Sequence, residues 1–196
     1  MSKQLRIGLL GGSFNPAHTG HLHISQEALK QLRLDQVWWL VSPQNPLKPL
    51  TDMAPYAERL ASAKAISASV KRIVISEFEH KHGLQFTHAT LSALRKHYPD
   101  VQFVWIMGAD NLAGFHRWQK WRSIIDIMPI AVFDRAPFSH TALRSKAAIA
   151  MKARRLPGRN IAAIANSPGH WAYMYLLARR HAASSTKIRA AKKRGK

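Results

Sequence analysis

The chain has 196 residues, of which 46% are hydrophobic and 20% charged, a composition typical of a globular domain rather than a disordered segment. It contains no cysteine, which excludes disulfides and thiolate metal sites, and no stretch approaches the roughly 20 apolar residues that span a bilayer. The N-terminus lacks a signal-peptide pattern, so we expect a cytoplasmic protein with no membrane partner.

The charge is strongly basic and unevenly distributed. Thirty lysine and arginine residues against ten acidic residues give a formal net charge of +20. Residues 101–196 carry 18 basic and 3 acidic side chains, and no acidic residue follows Asp134. Such a field attracts phosphorylated partners, but it does not distinguish nucleotides from nucleic acid or anionic lipid. Charge alone favours a nucleic-acid-binding protein.

Short apolar runs alternate with helix-like segments along the chain. The first half of the chain is predicted to contain strand Leu5–Leu10, helix Gly20–Leu32, strand Val37–Val41, helix Pro55–Ala68 and strand Ile73–Ser76, followed by a polar connection Phe78–Phe86 and a helix capped by Thr87 and ending near His97. The second half is predicted to contain strand Gln102–Met107, helix Trp118–Ile125, strand Ile130–Phe133, a basic helical segment 139–155, strand Trp171–Leu176 and a last helix capped by Ser184 or Ser185.

This alternation predicts βαβ units, a mostly parallel sheet and a single α/β domain. In such sheets ligands bind beyond the carboxyl ends of the strands. Three segments follow predicted strands at that edge: Gly11–His21, Ser42–Leu50 and Gly108–Trp118. We therefore expect the functional site there.

The first of these segments, Gly11–His21, reads GGSFNPAHTGH. Gly11 and Gly12 would let the chain turn sharply and bring backbone N–H groups close to a ligand. The helix predicted to begin near Gly20 would direct its positive end at the same place. His18 and His21 are three residues apart, so both imidazoles can face one phosphate group. On these residues alone, a simple turn with helix capping or half of a metal site remains an alternative.

The complete string resembles the GG[ST]F[DN]PxHxGH signature of the HxGH-type nucleotidyltransferases. The resemblance implies a Rossmann-like doubly wound sheet and a reaction that needs Mg²⁺ but no covalent intermediate. It also implies that His18 and His21 are catalytic and contact the triphosphate of ATP. The other ATP-binding residues that it implies in this loop are Gly11, Gly12, Ser13 and Phe14.

Two further segments are similar to the bacterial nicotinate mononucleotide adenylyltransferases. Ser42–Lys48 resembles that family's P-x-x-x-P-x-[KR] loop, which implies a catalytic Lys48 at a phosphate and Asn45 at the acceptor. Without the resemblance it is a Pro-rich surface loop with a solvated lysine. Phe86–Leu91 resembles [YF]-T-x-x-T-L, whose backbone receives the pyridine carboxylate. This implies acceptor contacts from Phe86, Thr87 and His88, although Thr87 could equally be a plain helix cap.

Two later segments extend the match. Gly108–Leu112, followed by Phe115 and Trp118, resembles G-x-D-[SN]-L…[FL]…W. This implies ATP contacts from Gly108 and Asp110, with Asp110 holding ribose hydroxyls, and stacking of Trp118 on the nicotinate ring; we expect Trp121 in the core. Ser184–Arg189 resembles [IV]-S-[SA]-T-x-[IL]-R, apart from its first position. The residues implied to hold ATP phosphates there are Ser184, Ser185, Thr186 and Arg189.

Arg135 matches the family only loosely and is assigned to the acceptor. The resemblance spans residues 6–189 and predicts a nucleotidyltransferase domain over residues 1–191, followed by a basic tail, 192–196. The predicted substrates are ATP and nicotinate mononucleotide, with Mg²⁺ held by ATP and water and no protein side chain assigned to it. Alternatives are the same chemistry on nicotinamide mononucleotide or phosphopantetheine, or a nucleic-acid-binding protein; RNA contact by the tail also stays open.

Overall fold

The computed structural model describes residues 4–43, 53–134, 138–175 and 189. The strands are β1 (Arg6–Gly12), β2 (Gln36–Val41), β3 (Ile73–Ser76), β4 (Gln102–Gly108), β5 (Ile130–Phe133) and β6 (Trp171–Met174). The α-helices are α1 (Thr19–Gln31), α2 (Tyr56–Ser67), α3 (Phe78–Lys81), α4 (Thr87–His97), α5 (Ala109–Gly114), α6 (Trp121–Ile127), α7 (Ser139–Leu143) and α8 (Lys146–Ala150). Three 3₁₀ segments cover Phe115–Arg117, Lys152–Arg154 and Gly158–Asn166.

The six strands form one sheet in the order β3-β2-β1-β4-β5-β6, and every neighbouring pair is parallel. This confirms the predicted Rossmann-like α/β fold. The chain winds outward from β1 to β3 on one side and from β4 to β6 on the other, so the strand order reverses between β1 and β4. Ligand sites of open parallel sheets lie at the carboxyl edge of this switch point.

Both faces of the sheet are buried, which explains why its strands read as continuous apolar runs. Alternate residues of β4 divide between the faces: Phe103, Trp105 and Met107 pack with α4–α8, and Val104 and Ile106 pack with α1 and α2. Burial of these large side chains on both sides supplies most of the hydrophobic stabilisation of the fold. Within the described ranges, no helix is both long and apolar enough to cross a membrane.

The predicted strands agree with the structure to within two residues, but several predicted helices do not. The polar connection predicted at Phe78–Phe86 contains the short helix α3. The helix predicted from Trp118 begins at Trp121, and Trp118 itself has an extended backbone. The basic segment 139–155 is not one helix but α7, α8 and a 3₁₀ turn, because Ser145 starts a new helix by capping Ala148.

Candidate active site

The segment Gly11–His21 begins inside β1 rather than after it. Gly11 and Gly12 are the last two strand residues, and the left-handed turn is made by Phe14, whose φ is 46°. The predicted role of Gly11 in turning the chain is therefore wrong. A Cβ at Gly11 would lie 2.3 Å from Cη2 of Trp105, so this position is glycine because the backbone passes directly over an indole ring.

The two predicted catalytic histidines, His18 and His21, cap the N-terminus of α1 with their side chains. His18 is the N-cap residue, and its Nδ1 accepts a hydrogen bond of 3.1 Å from the N–H of Gly20. In return, Nδ1 of His21 accepts a 3.2 Å bond from the N–H of His18. The two ring centroids are 3.9 Å apart. The arrangement is a capping box made of imidazoles in place of the usual hydroxyl and carboxylate.

This capping box determines the tautomer of both rings. Because each Nδ1 accepts a backbone hydrogen bond, each neutral imidazole carries its proton on Nε2. His18 and His21 therefore both present an Nε2–H donor, the form that binds phosphate oxygens. The assignment of these histidines to phosphate stays a prediction.

Aromatic side chains hold the ring of His21 in place. The ring lies 4.8 Å from that of Phe14 and 5.9 Å from that of Trp39, and these two rings stack at 5.0 Å. The indole N–H of Trp39 donates a 2.7 Å hydrogen bond to Oγ of Ser25 on α1. Phe14 and Trp39 are almost fully buried, so the imidazole rests on a packed surface.

Arg189 is brought to the same loop across 174 positions of sequence. Its Nη1 donates a 2.6 Å hydrogen bond to the main-chain oxygen of Asn15. The side-chain oxygen of Asn15 also accepts a bond of 3.2 Å from the N–H of Ala54, which precedes α2. The resemblance assigned Arg189 to the ATP phosphates, and the structure places it beside the loop that carries His18 and His21. Several predicted site residues lie outside the described residues: Asn45, Lys48, Arg135, Ser184, Ser185 and Thr186, together with the tail 192–196.

The start of α4 carries the predicted acceptor residues Phe86, Thr87 and His88. The N-cap is Phe86 rather than Thr87, and no side chain caps this helix by a hydrogen bond, which corrects the predicted capping by Thr87. Within the part of the chain that the structure describes, the first N–H groups of α4 therefore receive no side-chain cap, and a helix N-terminus in this state suits a carboxylate. Phe86 is 39% exposed, whereas Thr87 and His88 are half-buried.

A buried carboxyl group, that of Glu79, is hydrogen-bonded to helix α4. Glu79 of α3 is only 6% exposed, and its Oε1 accepts a 2.9 Å hydrogen bond from Oγ1 of Thr90 on α4. Burial raises the pKa of Glu79 to about 7, and the hydrogen bond from Thr90 opposes that rise. The position of α4 thus depends on a group that changes charge near neutral pH.

Asp110 and Trp118 follow β4. Helix α5 begins directly at Ala109, which puts Asp110 in its first turn and Gly108 at its N-cap. Trp118 is half-buried and meets Phe115 and Trp105 edge-on, with ring centroids 5.3 and 6.3 Å away. Trp121 is 8% exposed within the core cluster, which confirms its predicted role.

A buried polar cluster lies at the end of β5, directly before Arg135. Asp134 is 3% exposed and accepts hydrogen bonds from the hydroxyl of Tyr173, at 2.8 Å, and from Oγ of Ser139. Burial, reinforced by the hydrogen bond to Asp134, raises the pKa of Tyr173 well above its ordinary value. The cluster joins β5, β6 and α7 at the carboxyl edge of the sheet.

Three residues of this region were missed by sequence reasoning: Arg59, Glu79 and Trp105. Arg59 is buried and bonds to the loops that follow β1 and β2. Trp105 lies beneath Gly11 and beside Trp118, so it joins the phosphate loop to the predicted acceptor side. No local signal separates Arg59 and Glu79 from surface charges, but the apolar run around Trp105 correctly predicts that it is buried.

Comparison with known proteins shows the family to which the chain is related. A profile of the cytidylyltransferase-like family matches residues 9–191. A probable nicotinate-nucleotide adenylyltransferase of Methylorubrum extorquens is 47% identical over 186 residues, which cover 94% of this chain and 99% of that protein. A protein of the same description from Gluconobacter oxydans is 47% identical over 185 residues, 94% of each chain.

Solved structures share the fold. Nicotinic acid mononucleotide adenylyltransferase of Plasmodium falciparum, complexed with NaAD, superposes with a TM-score of 0.70 at 14% identity, over 95% of this chain and 83% of that one. A putative nicotinate-nucleotide adenylyltransferase of Vibrio parahaemolyticus gives 0.60 at 20% identity, over 98% and 89%. At these identities the likeness extends to the architecture alone.

Proposed function

The chain belongs to the nicotinate-nucleotide adenylyltransferases of the cytidylyltransferase-like family, and we propose that it transfers the adenylyl group of ATP to nicotinate mononucleotide, forming deamido-NAD and pyrophosphate. The observation that carries this proposal is the pair of imidazoles at the start of α1, both held as Nε2–H donors by their own helix cap. A helix N-terminus with two such donors is suited to a polyphosphate.

The chemistry needs alignment more than proton transfer. A phosphate oxygen of nicotinate mononucleotide attacks the α-phosphorus of ATP in line, the bond from that phosphorus to the bridging oxygen breaks, and pyrophosphate leaves with the electron pair. The attacking phosphate is already ionised at neutral pH, so no general base is required. Catalysis then consists of holding two anions together and stabilising the charge that shifts to pyrophosphate.

His18, His21 and Arg189 are the described side chains that we assign to this charge stabilisation. The Nε2–H groups donate to phosphate oxygens without changing protonation state, and Arg189 adds a fixed positive charge next to Asn15. The backbone N–H groups of Gly11–Phe14 complete the phosphate-binding loop, and Lys48, outside the described residues, is assigned to the same phosphates.

Mg²⁺ remains a prediction for this chain. Imidazole N–H and amide donors fit phosphate oxygens, whereas Mg²⁺ prefers oxygen ligands and retains water. Among the residues that the structure describes, no three His, Asp or Glu side chains form a group that could hold a metal. We therefore propose that Mg²⁺ enters with ATP and is held by phosphate oxygens and water, where it neutralises charge.

The acceptor is assigned to the other side of the switch point. The uncapped start of α4 offers N–H groups to the pyridine carboxylate, and Trp118 offers an indole face to the ring. Asp110 at the start of α5 is assigned to ribose hydroxyls. An N–H-rich helix start favours a carboxylate over a neutral amide, so nicotinate mononucleotide is preferred to nicotinamide mononucleotide in this proposal. We also propose a cytoplasmic location, supported by the absence of cysteine from the sequence.

The reaction can be tested with ATP labelled on its α-phosphate. The purified protein, nicotinate mononucleotide and Mg²⁺ should convert the label into deamido-NAD, with unlabelled pyrophosphate released in equal amount. Label recovered in inorganic phosphate, or no product at all under conditions where the protein is folded, would refute the proposal. A polyphosphate substrate accounts for the attraction of phosphates by a basic chain, so the net charge does not require a nucleic-acid partner.

A further inference from the structure

Arg59 of α2 is 1% exposed, yet it carries a full charge. Its Nη1 donates hydrogen bonds of 2.7 Å to the main-chain oxygens of both Ser13 and Ser42. Its Nη2 donates a 2.7 Å bond to the oxygen of Pro43, and its Nε a 3.0 Å bond to that of Ala54. One guanidinium therefore uses four of its five N–H groups on three separate stretches of main chain.

The stretches joined by Arg59 are those that carry the proposed chemistry. Ser13 lies in the phosphate loop between β1 and α1, five residues before His18. Ser42 and Pro43 begin the segment after β2 in which Asn45 and Lys48 are predicted to contact the two substrates. The main-chain oxygens of Ser13 and Ser42 share one nitrogen of Arg59, which fixes the distance between the two loops.

Stability alone does not explain a charged side chain at this position. A buried charge loses its hydration, and an apolar side chain of similar volume is often neutral or favourable for stability in its place. Burial lowers the pKa of Arg59 from its ordinary value, with Tyr56 opposing the shift, which shows that the charge is partly desolvated. What an apolar side chain cannot supply is a rigid, planar set of donors that reaches four carbonyl groups at once.

We propose that Arg59 is a positioning residue that sets the register of the phosphate loop against the segment after β2. The inference rests on the proposed function, because it assumes that ATP and its acceptor meet between these loops. In-line transfer tolerates little misplacement, and a displacement of about 1 Å can lower a rate by about 100-fold. A lysine keeps the charge but has one nitrogen, which cannot span the same carbonyl groups.

Arg72 provides a matched control. Its guanidinium also donates to main-chain oxygens, those of Asp35 at 3.0 Å and of Leu34. These residues precede β3 and β2, at the amino edge of the sheet and away from the proposed site. Arg59→Lys and Arg72→Lys therefore make the same chemical change at opposite edges.

The test compares the two variants in turnover and in backbone protection. For folded protein, we expect Arg59→Lys to lower kcat by at least about tenfold and to change the KM for both substrates, with Arg72→Lys within about twofold of the wild type. Hydrogen exchange of the backbone N–H groups of residues 11–15 and of Ser42 should become faster only in Arg59→Lys. A merely structural role would lower the folded fraction and leave the KM values unchanged, so the unfolding midpoint in urea is measured for both variants.

Equal turnover per folded molecule and equal protection of the loops in the two variants would overturn the inference. Arg59→Met keeps the approximate volume of the side chain but removes every donor. Wild-type turnover per folded molecule and wild-type protection of both loops in this variant would overturn the inference independently. If the wild type forms no deamido-NAD, the proposed function fails. The hydrogen-exchange comparison still decides the role of Arg59 in that case, since it needs no substrate.

Discussion

On the proposed phosphate side of the site, backbone N–H groups at the start of α1 donate to histidine nitrogens, whereas on the proposed acceptor side the N-cap residue of α4 supplies no such acceptor. His18 and His21 cap their own helix, and the ring of His21 rests on Phe14 and Trp39. The start of α4 has no side-chain cap, and Phe86 beside it is 39% exposed. We propose that the preorganised side stabilises the charge common to all acceptors and that the uncapped start of α4 selects the acceptor.

The largest effect should come from breaking the preorganised side. His21→Ala removes a phosphate donor, and we expect kcat to fall by at least about 100-fold, as for the loss of one charge-stabilising donor. His21→Gln, which can keep the capping box at this position, should recover stability but not turnover. The control in the same assay is His97→Ala, which replaces an exposed histidine at the C-terminal end of α4. Near-normal turnover of His21→Ala would remove the assigned role.

Substitutions of Gly11 and Gly12 distinguish two reasons for a glycine in this loop: close packing against a neighbouring side chain and backbone flexibility. Gly11→Ala forces a methyl group into the ring of Trp105, and we expect a loss of about 2 kcal/mol in the free energy of unfolding. The same change at Gly12 meets only Phe14, at 3.5 Å, so a much smaller loss is expected. Urea unfolding of the two variants measures this difference. Equal losses would show that backbone flexibility, not the indole beneath, requires glycine at position 11.

The pH dependence of stability tests the role of Glu79, whose carboxyl group is hydrogen-bonded to Thr90 of α4. Its folded pKa of about 7 lies above its ordinary value of 4.5, so folding favours the protonated form. That stabilisation is present below about pH 4.5 and is lost as the pH rises to 7. Glu79→Gln has no such dependence. Relative to this variant, the wild type should lose about 2 kcal/mol of unfolding free energy between pH 5 and pH 8. Parallel stability profiles in urea would show that the carboxyl group is ionised throughout.

Trp118 gives the smallest expected effect and the most selective one. Trp118→Ala should raise the KM for nicotinate mononucleotide about tenfold, the scale of one base stacked on an aromatic ring, and leave the KM for ATP nearly unchanged. Trp118→Phe should recover most of the loss, because it keeps an aromatic face. Steady-state titration of each substrate separates the two constants. An increase in the KM for ATP alone would show that Trp118 contacts ATP and would contradict its assignment to nicotinate mononucleotide.

Local patterns were enough to predict the sheet, and the assignment of Gly11–His21 to phosphate stays a prediction. Buried parallel strands such as β4 are continuous apolar runs, and the string from Gly11 to His21 is specific as a whole. The cap between His18 and His21 follows from their spacing, since positions three apart at a helix start can exchange hydrogen bonds.

The remaining features depend on tertiary contacts that no local pattern records. Helix α3 has four residues, which is too short to show helical periodicity. In the sequence, Arg59 looks like a solvated charge on a helix and Glu79 like one in a polar connection, and only the folded chain shows what surrounds them. The packing of Gly11 on Trp105 joins residues 94 positions apart, so the glycine resembled an ordinary turn residue.

The central claim, that the uncapped start of α4 selects a pyridine acid, is tested most directly by kcat/KM for nicotinate mononucleotide and nicotinamide mononucleotide at the same ATP concentration. An uncapped helix start that receives the carboxylate predicts a clearly higher kcat/KM for the acid, by about tenfold or more, the scale of one charge-assisted hydrogen bond. Equal values, or a preference for the amide, would contradict the assignment of α4 and leave only the phosphate side of the account standing.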